Sequence, residues 1–184
     1  WIRSRLQRTS EAVTAAIQDY RFDLAAQALY QFTWNEYCDW YLELSKPVLG
    51  GGDAAARRGT RHTLVTVLEA LLRLTHPIMP FITEEVWQRV APLAGATGET
   101  IMLQPWPQAD PGARDPAAEA EMEWVMALIR AIRNIKGEMN IPAARPVPVL
   151  LAGAGEAEAA WAVRHRPYLD FLARTESVEV LPPG

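Results

Sequence analysis

A single cysteine, Cys38, is all this chain offers to disulfide or thiolate-metal chemistry. One thiol excludes an intramolecular disulfide and fits a reducing compartment. Histidine is nearly as scarce. His62, His76 and His165 are far apart, and none has a partner at metal-ligand spacing, so no metal site is expected. Apolar runs of membrane-spanning length are missing, so no membrane partner is expected. The basic excess of a free-standing nucleic-acid binder is missing as well, because the formal net charge is −4. Any polyanion contact must then rest on local patches. Residues 46–90 carry six basic and four acidic groups, and residues 91–139 carry four basic and seven acidic. Catalytic signatures are lacking: there is no Gly-x-Ser-x-Gly elbow. Gly50-Gly51-Gly52 has neither the downstream Gly-Lys-Ser/Thr nor the preceding buried strand of a phosphate-binding loop, and reads as a flexible linker. Glu84 and Glu85 are adjacent and point about 100° apart on a helix. They read as acids favoured in a first helical turn rather than as an acid/base pair. No catalytic residue is expected.

What is present is an ordinary apolar supply. Apolar residues make up 49% of the chain against 22% charged, enough for a core without disulfides or metals. The chain opens at Trp1 directly into a helical pattern with no targeting peptide, and reads as a piece of a longer one. Ile2, Leu6, Val13, Ile17 and Tyr20 recur at helical spacing and predict a first helix ending near Tyr20–Phe22. A second helix is predicted from about Leu24 to Leu44, stopped by Pro47. Its polar residues Gln27, Gln31, Asn35, Asp39 and Glu43 form one ridge, and the rest is apolar or small, so burial at the centre of a bundle is expected. A third helix follows over about Ala54–Thr75, and a fourth begins at Pro80. The stretch from Pro92 to Pro116 reads as loop, with Ile101-Met102-Leu103 extended. A fifth helix, from about Pro116 to Met139, has a predicted core stripe of Val125, Leu128, Ile132, Ile135 and Met139. After Pro142 the pattern becomes strand (Val147, Val149, Leu151), helix (Glu156 to Ala173) and strand (Ser177 to Leu181), with Pro148 indicating an edge. The expected fold is mainly α: a five-helix bundle over residues 1–142 with a small β-α-β appendage over residues 143–184.

Two groups of side chains admit a binding role. Aromatic faces stack nucleobases, but they also fill cores. Few charges and helical spacing favour the core for Trp40 and Tyr41, whereas Trp34, next to Asn35, stays open. On the fifth helix Arg130, Arg133 and Asn134 fall together opposite the apolar stripe, so the fold should not need them. Arginine suits phosphate and asparagine can read base edges. Glu119 and Glu123 lie on the same side, so a solvated, charge-balanced face fits the spacing equally well.

Several strings share one order and spacing. They are Trp1-Ile2-x-Ser4-Arg5-Leu6; Tyr20-Arg21-Phe22-Asp23; Phe32-x-Trp34-x-Glu36-Tyr37-Cys38-Asp39-Trp40-Tyr41-Leu42-Glu43; Leu74-x-His76-Pro77-x-Met79-Pro80-Phe81-Ile82-Thr83-Glu84-Glu85-x-Trp87; Ile101-Met102-x-x-x-Trp106-Pro107; and Ile132-Arg133-Asn134-x-x-x-Glu138-Met139-Asn140-Ile141-Pro142. Together they resemble the anticodon-binding domain of class I valyl-tRNA synthetases, over residues 1 to about 181. The fourth string is shared with the isoleucyl and leucyl enzymes, and the isoleucyl domain is the neighbouring alternative; the Glu-x-Cys-Asp-Trp-Tyr-Leu-Glu string is similar to the valyl form. The resemblance implies a cytoplasmic, monomeric parent that attaches valine to its tRNA with ATP and magnesium. It implies catalytic and editing domains elsewhere in that parent, and no cofactor in these residues. The partner it implies is a valine-specific tRNA, with Trp34, Asn35, Arg130, Arg133 and Asn134 as candidate contacts. The family's Asn-, Lys- and Trp-rich helix ahead of Trp1, its catalytic signatures and its coiled-coil arm all lie outside these 184 residues. A purely structural bundle that buttresses a catalytic body is the rival of a different class.

Overall fold

A computed structural model describes residues 1–181. The chain forms two compact units, the first being Trp1–Asp115 and the second beginning at Pro116. The helix predicted over Pro116–Met139 lies in the second unit, while the change from helical to strand pattern in the sequence falls at residue 142.

In the first unit, helix α1 (Ile2–Gln18) buries Ile2, Leu6, Val13 and Ala16. The second predicted helix is longer than expected. α2 (Phe22–Tyr30) runs into a π-helical segment, Gln31–Leu42, and on into α3 (Glu43–Gly51). Pro47 does not stop it. A proline inside a helix costs about 3 kcal/mol; here Leu44, just before it, is buried, and the Ser45 hydroxyl donates to the Tyr41 carbonyl at 2.7 Å. The glycine triplet, expected to be a linker, ends the helix instead: Gly50 and Gly51 are helical and Gly52 is extended.

Asp53 caps α4 (Ala54–Thr75), its carboxylate accepting from the Ala56 amide at 2.7 Å. Helix α5 (Pro80–Ala94) starts on a proline and ends at Gly95, whose φ of 76° lets the Ala96 amide reach back to the Ala91 carbonyl. Ile101–Leu103 forms a 3-10 turn rather than the expected extended segment.

The main core of this unit joins α1, α2, the π segment and α4 through Val13, Leu29, Phe32, Tyr37, Val67, Leu71 and Leu74. A second cluster of Leu72, Trp87, Ala91 and Ile101 joins α4, α5 and the 3-10 turn. Packing reaches the long second helix from one side only. Its expected burial at the centre of the bundle is therefore corrected: Phe22, Leu24, Tyr30, Trp34 and Leu42 are exposed. Tyr41 packs partly buried against the core. Trp40, also expected in the core, is only half-buried.

The second unit is helix α6 (Pro116–Glu138), strand β1 (Val147–Leu151), helices α7 (Glu156–Arg164) and α8 (Arg166–Leu172), and strand β2 (Thr175–Val180). The strands pair in parallel, as a helical crossover requires. Both strands are edges, and the register shifts between Val147 and Pro148, where a missing donor is tolerated. Trp124 of α6 and Trp161 of α7 meet with ring centroids 5.8 Å apart.

The α6 stripe differs from its prediction. Val125 and Ile132 are buried as expected, but Met126, Ile129 and Lys136 complete the face while Ile135 and Met139 are exposed. The buried positions follow the helical period from Val125 to position 136, so a lysine stands where apolar counting selects its neighbour.

Candidate nucleic-acid interface

Several residues in the ordered strings hold the fold. Ser4 is buried and accepts the Asp115 amide at 2.8 Å. The Arg5 guanidinium grips both oxygens of Glu36 at 2.7 Å, tying α1 to the π segment. The Tyr37 hydroxyl donates to the Leu64 carbonyl at 3.0 Å, and burial raises its pKa above the usual tyrosine value.

In the His-Pro-x-Met-Pro-Phe string, Nδ1 of His76 lies 2.7 Å from the Thr83 hydroxyl, which donates to the Met79 carbonyl at the start of α5. Glu84 is not in the first turn of that helix, which contains no acid. Its carboxylate instead accepts from the Thr100 hydroxyl at 2.6 Å and the Ile101 amide at 3.2 Å, fastening the 3-10 turn. These hydrogen bonds, Thr100 first, hold the Glu84 pKa below its ordinary value. The dipole reading of Glu84 is thus replaced by a docking role.

The remaining polar and aromatic groups are the candidates for contact. Trp34 is 55% exposed and Tyr30 63% exposed, one helical turn apart, with Asn35 beside them also at the surface. The polar ridge appears as expected: Gln27, Gln31, Asn35 and Asp39 are all exposed. The π winding widens each turn by one hydrogen-bonded residue, and such turns are frequent at functional sites. Here it sets an indole and a carboxamide side by side on open surface.

On α6, Arg130, Arg133 and Asn134 are exposed, as candidates for contact must be. Arg130 pairs with Glu123 at 3.3 Å. Arg133 is not idle: its Nε and Nη2 donate to the Leu172 carbonyl at 3.1 and 2.9 Å, closing the end of α8. The expectation that the fold does not need it is therefore corrected. Helix ends leave carbonyls without partners, and a cation there is favoured by the dipole. Sequence reasoning also missed Lys136, which is buried and donates to the Arg145 and Ala173 carbonyls at 2.7 and 2.8 Å. Its only sequence signal is its place in the helical period. Trp34 and Asn35 lie in the first unit, and Arg130, Arg133 and Asn134 in the second.

Among the described residues no group of three or more His, Cys, Asp or Glu side chains is placed to hold a metal ion. No described helix is long and apolar enough to cross a membrane. A family model described as the anticodon-binding domain of tRNA ligase matches residues 1–151. The chain belongs to this family. The match ends at the last residue of β1, so the elements from α7 to β2 lie beyond it.

Proposed function

We propose that this anticodon-binding domain belongs to a valine-tRNA ligase and helps hold a valine-specific tRNA, the aminoacylation itself taking place in catalytic and editing domains of the same cytoplasmic, monomeric parent. ATP and magnesium are bound by that catalytic domain. The observation that carries the reading is the exposed Trp34–Asn35 pair in a domain of this family. The indole offers a stacking face and the carboxamide a donor and an acceptor for a base edge. The choice of valine rests on the string Glu36-Tyr37-Cys38-Asp39-Trp40-Tyr41-Leu42-Glu43, which is similar to the valyl form.

Replacing Trp34 by alanine should weaken valine-tRNA binding about tenfold, within the range of one lost base–aromatic stack, and leave thermal melting unchanged because the ring is exposed. Filter binding with valine and isoleucine tRNA transcripts checks both points. A preference for the isoleucine transcript would move the domain to the isoleucyl enzyme. The purified chain should show no valine-dependent pyrophosphate exchange into ATP above a buffer control.

The α6 candidates favour a second reading. Arg133 is committed to the Leu172 carbonyl and Arg130 is neutralised by Glu123, which suits a buttress without RNA contact. Arg130→Gln with Asn134→Ala separates the two, since unchanged tRNA affinity assigns this face to structure.

A further inference from the structure

The parallel pair β1–β2 has two outer edges, and they differ. The Val147 amide donates to the Arg174 carbonyl, and the Leu181 amide to the Leu151 carbonyl. Val149 stands beside Val178 and Leu151 beside Val180. Backbone groups alternate from side to side along a strand. Those of Val147, Val149 and Leu151 therefore point to β2, and those of Pro148 and Leu150 point away. On β2 the Glu179 amide and carbonyl face β1, while those of Val178 and Val180 face outward. Among the described residues nothing pairs with these outward groups, because the sheet has only two strands.

The β1 edge is closed to a further strand. Pro148 has no amide to offer on that side, and the register shift between Val147 and Pro148 disrupts the start of the edge. β2 begins under similar cover, since Arg166 Nη2 donates to the Glu176 carbonyl at 2.7 Å. Over residues 177–181 that cover ends, with neither proline nor lysine in the run. An unguarded edge is a template for pairing with another segment. A lone parallel pair is also an incomplete sheet, because parallel strands belong to larger sheets with covered faces.

The side chains decide what fits. Val178 and Val180 share a face with the half-buried Val149 and Leu151, whereas Ser177 and Glu179 share the solvent face with the exposed Pro148 and Leu150. β2 carries Glu176 and Glu179 and no basic residue. A segment laid along it meets valines on one face and a carboxylate on the other.

We propose that the outer edge of β2, residues 178–181, docks an extended polypeptide segment from outside these 184 residues, in which apolar residues alternate with lysine or arginine. Main-chain hydrogen bonds to Val178 and Val180 hold the segment. Its apolar side chains continue the valine face, and a basic one stands opposite Glu179, a favourable cross-strand pair. A phosphodiester strand does not suit this edge, which alternates donors with acceptors and carries a carboxylate. The site lies beyond residue 151, where the family match ends, and is independent of the tRNA reading.

The probe is a capped hexapeptide of alternating lysine and valine, titrated into the isotope-labelled chain. Without peptide, the Val178 and Val180 amides should exchange quickly with solvent, and the Glu179 amide, bonded to β1, slowly. Saturating peptide should slow the Val178 and Val180 amides about tenfold or more and leave Leu150, on the β1 edge, unchanged. Aspartate in place of the lysines should weaken binding about tenfold. Methylating the peptide nitrogens that face β2 should abolish binding, while methylating the alternate set should spare it. Val178→Pro removes one outward donor but no bond to β1, and should also cost about tenfold in affinity.

No slowing at Val178 and Val180 with millimolar peptide would overturn the proposal, and so would equal binding by the two methylated peptides. A chain that sediments as a dimer, and becomes a monomer with Val178→Pro, would overturn it by giving the edge to a second copy. Protection of the same two amides by tRNA would overturn it by giving the edge to nucleic acid.

Discussion

Replacing Trp87 by alanine is expected to lower the stability of the first unit by about 3–5 kcal/mol, the cost of emptying a large buried aromatic site. Trp87 is 1% exposed and lies between Leu72, Ala91 and Ile101. It also has a polar task. Its indole N–H donates to Glu69 at 2.9 Å, and Glu69, itself buried, is gripped by Arg73 through two bonds of 2.8 Å. Arg73 reaches on to the Pro105 carbonyl at 2.6 Å. One side chain therefore fills the smaller core and completes a network joining α4, α5 and the loop before Trp106. Alanine removes both contributions. Phenylalanine keeps most of the apolar contact and loses only the donor, so Trp87→Phe should cost about 1–3 kcal/mol, the range for a buried acceptor deprived of a partner. Urea denaturation, followed by amide exchange in α4 and α5, checks the order of the three proteins. Equal costs for alanine and phenylalanine would show that packing at this site is incidental and the hydrogen bond is everything.

The Trp87 site shows what was legible in the sequence. Its spacing with Val86 and Val90 points it inward, and the start of its helix at Pro80 follows directly from proline chemistry. What could not be read depends on tertiary partners. Glu84 resembles a first-turn acid until the Thr100–Ile101 turn arrives to be held by it. Pro47 resembles a stop, yet the helix runs through it to Gly51. The π winding of Gln31–Leu42 has no periodic signature of its own, and one-sided packing left Tyr30 and Trp34 outside where apolar counting placed a core.

The candidate site behaved in the same way. Exposure of Asn35, Arg130 and Asn134 follows from their place opposite apolar stripes. Arg133 and Lys136 are held by carbonyls of residues far along the chain, and nothing local announces an acceptor some forty residues away.

Lys136→Met should cost the second unit about 3–5 kcal/mol, the sum expected for two short hydrogen bonds to a charged donor. The ammonium of Lys136 is buried and donates to the Arg145 and Ala173 carbonyls at 2.7 and 2.8 Å, with those of Arg174 and Ala143 at 3.3 and 3.4 Å. These carbonyls belong to the segment before β1 and to the turn between α8 and β2, where Arg174 has a φ of 54°. One cation thus fixes the start of both strands relative to α6, and the Val147 amide bonds to the Arg174 carbonyl at 3.1 Å in the same knot. Apolar replacement of a buried ion can be neutral or stabilising when all its partners leave with it. Here the partners are backbone and cannot leave, so methionine abandons buried acceptors, and the sign of the change should be destabilising. Burial, and then the nearby charge of Arg174, lower the Lys136 pKa from the ordinary 10.5. In the window between the lowered value and 10.5 the unfolded chain holds more protons than the folded one, so this lysine's contribution to stability rises with pH across that window. Wild type should show that alkaline rise and Lys136→Met should lack it. Denaturant unfolding read by amide exchange in β1 and β2, at neutral and alkaline pH, measures both effects. A methionine variant as stable as wild type, with unchanged strand protection, would mean that the carbonyl cage relaxes to water and that α6 holds the strands by its apolar face alone.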